Sequence, residues 1–329
     1  SSHAGHIVLL NLKEDDYPNT TTVEEWPSWT LPVLKWAKDQ GGITGYAHSG
    51  WGLEPLEPTD DLPNYIIPKM DGIGANEFVV TVTHDLIDFY SAGDTPLPAE
   101  LNMWYHVLNA GFKTRISGET DFPCISDEKV GRARIYAELE DGLDFSDYMD
   151  ALVKGKSYVS DGRSHLIDFK VDNLKLGDGE SLLSLKKTKN VKVTIKAAAF
   201  LEEEQDGKGY VIATSDPYKP PYWHIERSRK GKSRDVIVEL VRNGVVIDEQ
   251  TIKADGDWND ISFTTSVDKS CWLATRVKYS SHTNPIFIEV NGKPILEKAS
   301  AEWCRVSVDQ CWEQKKSRFR YEEIEDEVR

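Results

Sequence analysis

The chain has 329 residues, 39% of them hydrophobic, and carries 55 acidic against 39 basic side chains, a formal charge of −16. That length predicts two domains with ordinary cores, and the acidic balance argues against a nucleic-acid partner. No apolar run approaches the roughly 18 residues that a membrane span needs.

Ser1-Ser2-His3-Ala4-Gly5-His6 runs straight into the apolar stretch Ile7-Val8-Leu9-Leu10-Asn11-Leu12, which reads as a buried strand. No initiator Met, signal or transit segment precedes it. A chain opening on a core strand is expected to start partway through a longer domain, with an upstream segment of the same protein as its partner. Up to residue 163, strand candidates at 7–12, 42–47, 72–78, 88–91, 113–117 and 134–139 alternate with helical spacing at 31–40 and 98–112. In the second helix Leu101, Trp104, Tyr105, Leu108 and Phe112 recur every three or four positions, with Gly111 near the end. A further short helix over 144–155 stops at Gly155. The alternation predicts an α/β domain over 1–163 with a largely parallel sheet or barrel, in which sites form at the C-terminal ends of strands.

Past Asp161-Gly162-Arg163-Ser164 the pattern changes. Short β-rich runs at 167–171, 191–197, 235–242, 245–252, 260–267, 272–279 and 286–290 predict an all-β antiparallel sandwich over 164–300. Asn243-Gly244 marks a hairpin. The polar, Pro-rich stretch 201–232 reads as a long insertion loop, and the basic cluster Arg227-Ser228-Arg229-Lys230-Gly231-Lys232 inside it as solvated surface. Residues 301–329 read as a short helical tail closing on the acidic run 322–327. The four cysteines, Cys124, Cys271, Cys304 and Cys311, make no CxxC pair, so no structural zinc site is expected. Free thiols are the default reading, with a Cys304–Cys311 disulfide left open.

Four of the eight histidines (His3, His6, His48 and His84) fall in the first 84 residues, near predicted strand ends. His48 follows an apolar strand and enters the Gly-rich turn His48-Ser49-Gly50-Trp51-Gly52. That puts an imidazole at a strand tip, where α/β metal sites assemble, unless it is a packed loop histidine. Asp121, in Gly118-Glu119-Thr120-Asp121-Phe122-Pro123, stands at another tip, as a metal ligand or a turn cap. His6 and His3 precede the first strand, spaced to flank one ion or to ligate and orient, although Ser1-Ser2-His3 also resembles an engineered leader. Glu77, ending the candidate strand 72–78, and the nearby His84 are weaker candidates. His106, His165, His224 and His282 read as structural or interdomain residues. Neither a Gly-x-Ser-x-Gly elbow nor a Gly-rich phosphate loop is present, and no catalytic residue is assigned.

These segments together resemble a known family. His3-Ala4-Gly5-His6 with its strand, Ala47-His48-Ser49-Gly50-Trp51-Gly52, Leu101-Asn102-Met103-Trp104-Tyr105-His106 and Gly118-Glu119-Thr120-Asp121-Phe122-Pro123 look like the CehA/McbA metallohydrolases of the PHP superfamily. Tyr158-Val159-Ser160-Asp161-Gly162-Arg163-Ser164-His165, Ser281-His282-Thr283-Asn284-Pro285-Ile286 and Ala301-Glu302-Trp303-Cys304 resemble the C-terminal region of longer bacterial members. The resemblance implies part of a PHP-type distorted barrel binding two or more divalent ions (Zn, Mn or Fe) at strand C-termini. It also implies hydrolysis of ester, carbamate or phosphoester bonds of a small molecule by a metal-activated water. It assigns His6, His48 and Asp121 as ligands and His3 less firmly. The motif's Asp-x-His reads Asp121-Phe122-Pro123, and the early His-x-His pair is absent. The alternative is a catalytically degenerate PHP-like protein acting as a binding or assembly component through its sandwich. Substrate, metal identity and oligomeric state, a homo-oligomer included, are left open; a bacterial periplasmic or extracellular setting is favoured over the cytoplasm.

Overall fold

The structure is a computed structural model that describes residues 5–122, 130–140 and 142–320. The first half runs β1 (Ile7–Leu10), α1 (Thr30–Asp39), β2 (Ile43–Tyr46), α2 (Phe78–Thr81), β3 (Phe89–Ala92), α3 (Leu97–Asn109) and β4 (Arg115–Gly118). Its sheet has the order β1-β2-β3-β4. The β2, β3 and β4 strands are parallel, and β1 is antiparallel to β2 with Ile7 opposite Tyr46. The start of β1 therefore lies at the same edge as the C-terminal ends of β2, β3 and β4, and the Ala47 amide donates to the His6 carbonyl there (3.0 Å).

The helices follow their spacing. Val33, Leu34 and Ala37 are the buried face of α1. Every residue of α3 is buried, as expected of a helix packed on all sides. One predicted strand is absent. Residues 72–76 form turns, and α2 begins at Phe78. The apolar run suggested a strand, but a side chain on Gly74 would come 2.2 Å from the His48 carbonyl. The Asn76 amide group donates to the Trp51 carbonyl (2.8 Å). This segment packs backbone to backbone on the turn after β2, where no ladder can form.

The second half runs β5 (Arg134–Ala137), α4 (Phe145–Lys154), β6 (Ser157–Ser160), β7 (Ser164–Val171), β8 (Leu174–Lys175), β9 (Leu182–Leu185), β10 (Lys189–Ala199), α5 (Gly207–Thr214), β11 (Asp235–Arg242), β12 (Val245–Lys253), β13 (Asn259–Val267), β14 (Cys271–Val277), β15 (Ser281–Thr283), β16 (Ile286–Val290) and α6 (Lys298–Lys315). The molecule is thus mixed α/β, with several sheets and a C-terminal helix. Asp144 caps α4 by accepting from the Ser146 and Asp147 amides, and Gly155 ends it with positive φ. Two β-rich sheets, β13-β10-β7-β8 and β12-β11-β14-β15-β6-β5, share one apolar cluster. Val193, Ile195 and Phe263 come from the first, and Val238, Leu240 and Ile288 lie on β11 and on β16, which pairs with β14. The β5 and β6 strands precede residue 163, yet β6 pairs with β15, so the larger sheet draws strands from both sides of that position. Asn243 and Gly244 both have positive φ between the paired strands β11 and β12, as the Asn-Gly signal requires.

Two expectations need correction. The 201–232 stretch is no featureless loop, because α5 lies within it. Its basic cluster is only partly solvated. The Arg229 side chain is buried and paired with Glu226 (2.7 Å), and Arg227 donates to the Pro221, Ser215 and Lys219 carbonyls. Cys271, Cys304 and Cys311 are free thiols. Cys124, the residue 322–327 run and His3 lie outside the described residues. Among the described residues no helix is long and apolar enough to cross a membrane.

The α3 helix joins the first sheet to the β-rich part through buried polar contacts. His282 Nδ1 lies 2.7 Å from the Thr283 carbonyl, which can only accept, so Nδ1 carries the hydrogen. His282 Nε2 then accepts from the Tyr105 hydroxyl (2.6 Å), which in turn accepts from the Arg276 guanidinium (3.0 Å). His106 stacks on Trp303 of α6 (4.1 Å) and donates to the Asn64 carbonyl (2.7 Å). Both histidines are structural. Burial, then the Arg276 charge, lowers the His282 pKa to about 3. The unfolded chain takes up this proton near pH 6.5 and the native state does not, so His282 erodes stability as pH falls from about 6.5 towards 3. The maximum slope is about 1.4 kcal/mol per unit. Urea unfolding of His282→Gln should therefore show a deficit relative to the parent at pH 7 that narrows by pH 5. A deficit independent of pH would count against a neutral buried His282.

Candidate metal centre

Four chain segments meet at the shared edge of the first sheet. His6 precedes β1 and His48 follows β2. Asp94 follows β3, and Glu119 and Asp121 follow β4. His48 and Asp121 have φ of 50° and 48°, a region that non-glycine residues enter at a cost and that recurs at functional sites. The His48 turn is held by its own Trp51 amide donating to the His48 carbonyl (3.0 Å) and by the Gly50 amide donating to Thr95 Oγ1 (2.8 Å). Gly93 is required ahead of Asp94: its φ is 117°, and a side chain there would meet Ala133 at 2.1 Å.

His48 is the hub. Its Nδ1 lies 2.7 Å from Asp94 Oδ2, and its backbone amide donates to Glu119 Oε1 (2.7 Å). Its Nε2 lies 3.5 Å from Asp121 Oδ2. A carboxylate on Nδ1 fixes the orientation of the ring. The His6 ring packs edge-on to His48 with centroids 5.0 Å apart. Ser91 Oγ donates a short hydrogen bond to Glu119 Oε1.

The electrostatics are those of acidic groups crowded in a poorly solvated place. Burial, then the Asp94 charge, raises Glu119 to about 7. Burial likewise raises Asp94 against the opposing effect of its His48 hydrogen bond. Burial alone would lower His48, but the Asp94 hydrogen bond and the charges of Asp94, Glu119 and Asp121 outweigh it and raise the imidazole. Burial, then His48, lowers His6.

His48, Asp94 and Glu119 each offer a donor atom within 4.8 Å of the other two, a group that could hold a metal ion. The fit has a second observation behind it. Asp94 Oδ1 is buried with no hydrogen-bond partner, a costly state for a carboxylate oxygen and one that a cation relieves. One imidazole with carboxylates suits Zn, Mn or Fe.

The expected ligands are thus placed unequally. His48 is in the group of three, with Asp121 and His6 beside it. Glu77 is elsewhere: its Oε2 accepts from the Thr30 amide at the start of α1 (2.8 Å), and burial raises it to about 7. His84 lines a different cavity of about 400 Å³ with Glu77, Trp312 and Phe319. Asp94 and Glu119 are additions to the predicted set. Each directly follows a strand end or its glycine, so the same strand-tip logic that picked out His48 applies to both.

No protein-family model matches the chain, and no curated protein matches it. Among solved structures, one that matches is the CARDB domain of the PF1109 protein from Pyrococcus furiosus, crystallised in complex with di-metal ions. It is 8% identical, covers 39% of this chain and 96% of its own, and has a TM-score of 0.21, too low for the likeness to carry any argument.

Asp94→Asn and Glu119→Gln should each weaken Zn(II) or Mn(II) binding by about tenfold or more, and His84→Ala should leave it unchanged, by isothermal titration calorimetry. Equal affinities in all three variants would remove these residues as a metal centre.

Proposed function

We propose that the chain belongs to a metal-dependent hydrolase of the CehA/McbA type, acting on ester, carbamate or phosphoester bonds. The observation that carries this reading is the convergence of His48, Asp94 and Glu119, with Asp121 3.5 Å from His48 Nε2, at the C-terminal edge of parallel strands. On this reading the first sheet is part of a PHP-type barrel. The two β-rich sheets form a sandwich, which their common apolar cluster supports.

A divalent ion held by this group supplies Lewis-acid polarisation of a carbonyl or phosphoryl oxygen and makes water more acidic. The protein's own residues do the rest. Asp94 holds the His48 ring through Nδ1 and offers its second oxygen, which has no hydrogen-bond partner. Glu119 fixes the His48 backbone and offers a carboxylate. Asp121, with a third of its side chain exposed, stands on the open side, where it can orient a substrate or a water. His6 packs on the His48 ring and limits its rotation. The three-residue group accounts for one ion, and a second would draw on His6 and Asp121. Pro123 stands where the resembled Asp-x-His motif has its histidine, which favours the alternative of a degenerate site in a binding or assembly protein.

Turnover separates the two. The chain loaded with Zn, Mn or Fe should hydrolyse p-nitrophenyl acetate, p-nitrophenyl phosphate or an aryl carbamate, with activity that tracks metal content. Chelation should abolish it, and His48→Ala should lower it at least 100-fold. Metal bound without turnover on any of the three would favour the binding reading. Failure to bind metal would sink the hydrolase.

A further inference from the structure

We propose that segment 215–228 is a positioning device for the metal centre, so that its docking and metal binding are coupled through Trp223 and Glu100. This rests on reading His48, Asp94 and Glu119 as that centre. Glu100, in the first turn of α3, is fully buried. Its Oε1 accepts from the Gly93 amide (3.1 Å) and the Thr95 amide (3.0 Å), the residues on either side of Asp94. Its Oε2 accepts from Trp223 Nε1 (2.8 Å). The carboxylate that shapes the Asp94 loop is thus itself held by a buried indole from the insertion.

Beyond Trp223, the Ile225 amide donates to buried Asp161 (2.7 Å). The segment is also braced from within. Arg227 Nε and Nη1 donate to the Pro221 and Ser215 carbonyls, and Nη2 to Ser215 Oγ and the Lys219 carbonyl. Because coupling between two binding events is reciprocal, whatever loosens Trp223 must weaken the metal.

The test uses Trp223→Phe in the whole chain. Trp272→Phe is the comparator, since it removes an equally buried indole hydrogen bond, to Asn109 at the far end of α3 (2.8 Å). Two readouts are taken: amide exchange at Gly93 and Thr95, and Mn(II) affinity by calorimetry. Trp223→Phe should speed exchange at both amides by about tenfold and weaken Mn(II) binding by about tenfold, and Trp272→Phe should do neither. Amides of the β10–β13 ladder serve as the control for global unfolding, and Glu100→Gln, whose carboxamide replaces one of the two acceptor oxygens with an NH2 donor, should reproduce the loosening. Exchange at Gly93 and Thr95 that is no faster in Trp223→Phe than in Trp272→Phe overturns the proposal. Faster exchange in Trp223→Phe, when the parent binds no Mn(II), supports the positioning of Asp94 and overturns the metal reading.

Discussion

The hydrogen bond between Asp94 and His48 is the constraint on which the candidate site depends. It joins the tips of two neighbouring parallel strands, and it forces an imidazole and a carboxylate into a nearly dry place. The immediate consequence is a fixed ring orientation. The second is an imbalance: one oxygen of Asp94 is satisfied and the other is buried without a partner. Two further carboxylates, Glu119 and Asp121, crowd the same imidazole. A fold gains nothing in stability from such a cluster by itself, because desolvation of several acids outweighs what one histidine returns. The left-handed backbone at His48 and Asp121 adds cost of the same sign. That cost is concentrated at one edge of one sheet, with surrounding loops holding it in place, and it is this concentration that makes the cluster a candidate site.

The α3 helix explains how that edge is held. It starts at the site, where Glu100 shapes the Asp94 loop, and ends against the β-rich sheets, where Asn109 receives the Trp272 indole hydrogen. Between them Tyr105 bridges His282 and Arg276, and His106 is pinned between Trp303 and the Asn64 carbonyl. A helix without a solvated face cannot rotate or slide without breaking polar contacts at both ends. Rigid elements of this kind place side chains more accurately than loops do, and here the rigidity reaches from the second half of the chain to the Asp94 loop in the first.

Much of this was legible in the sequence where period and position agree. Apolar residues at three- and four-residue spacing marked α1 and α3, and Asn243-Gly244 marked its hairpin. Strand tips followed by His48 and by Asp121 marked two corners of the site. The failures have physical causes. Ile73, Ala75 and Phe78 gave an apolar run, but Gly72 and Gly74 are there for backbone contact with the His48 turn, which periodicity does not register. That error carried Glu77 to a strand end it does not occupy. Asp94 escaped because a lone acid after a glycine most often caps a turn; only the register of β2 against β3 brings it to His48. The pairing of β6 with β15, which carries β5 into the same sheet, is a long-range choice, and no local pattern distinguishes it from a place in the first sheet.

The 201–232 stretch shows the same limit most clearly. Its composition, polar and rich in proline and charge, is that of a solvated loop, and charge clusters are solvated in most proteins. Here two of the guanidiniums are spent inward. Arg229 closes on Glu226 and on the Glu202 carbonyl, and Arg227 gathers the carbonyls of residues 215, 219 and 221. A guanidinium is suited to this because its several donors lie in one plane and stay charged when partly buried. The carbonyls it satisfies belong to backbone without helix or strand partners, which would otherwise have to stay in water. With those groups satisfied, an irregular segment can be packed as firmly as a regular one. It can then carry Trp223 to Glu100 at a fixed distance, which a freely solvated loop of the same composition could not do.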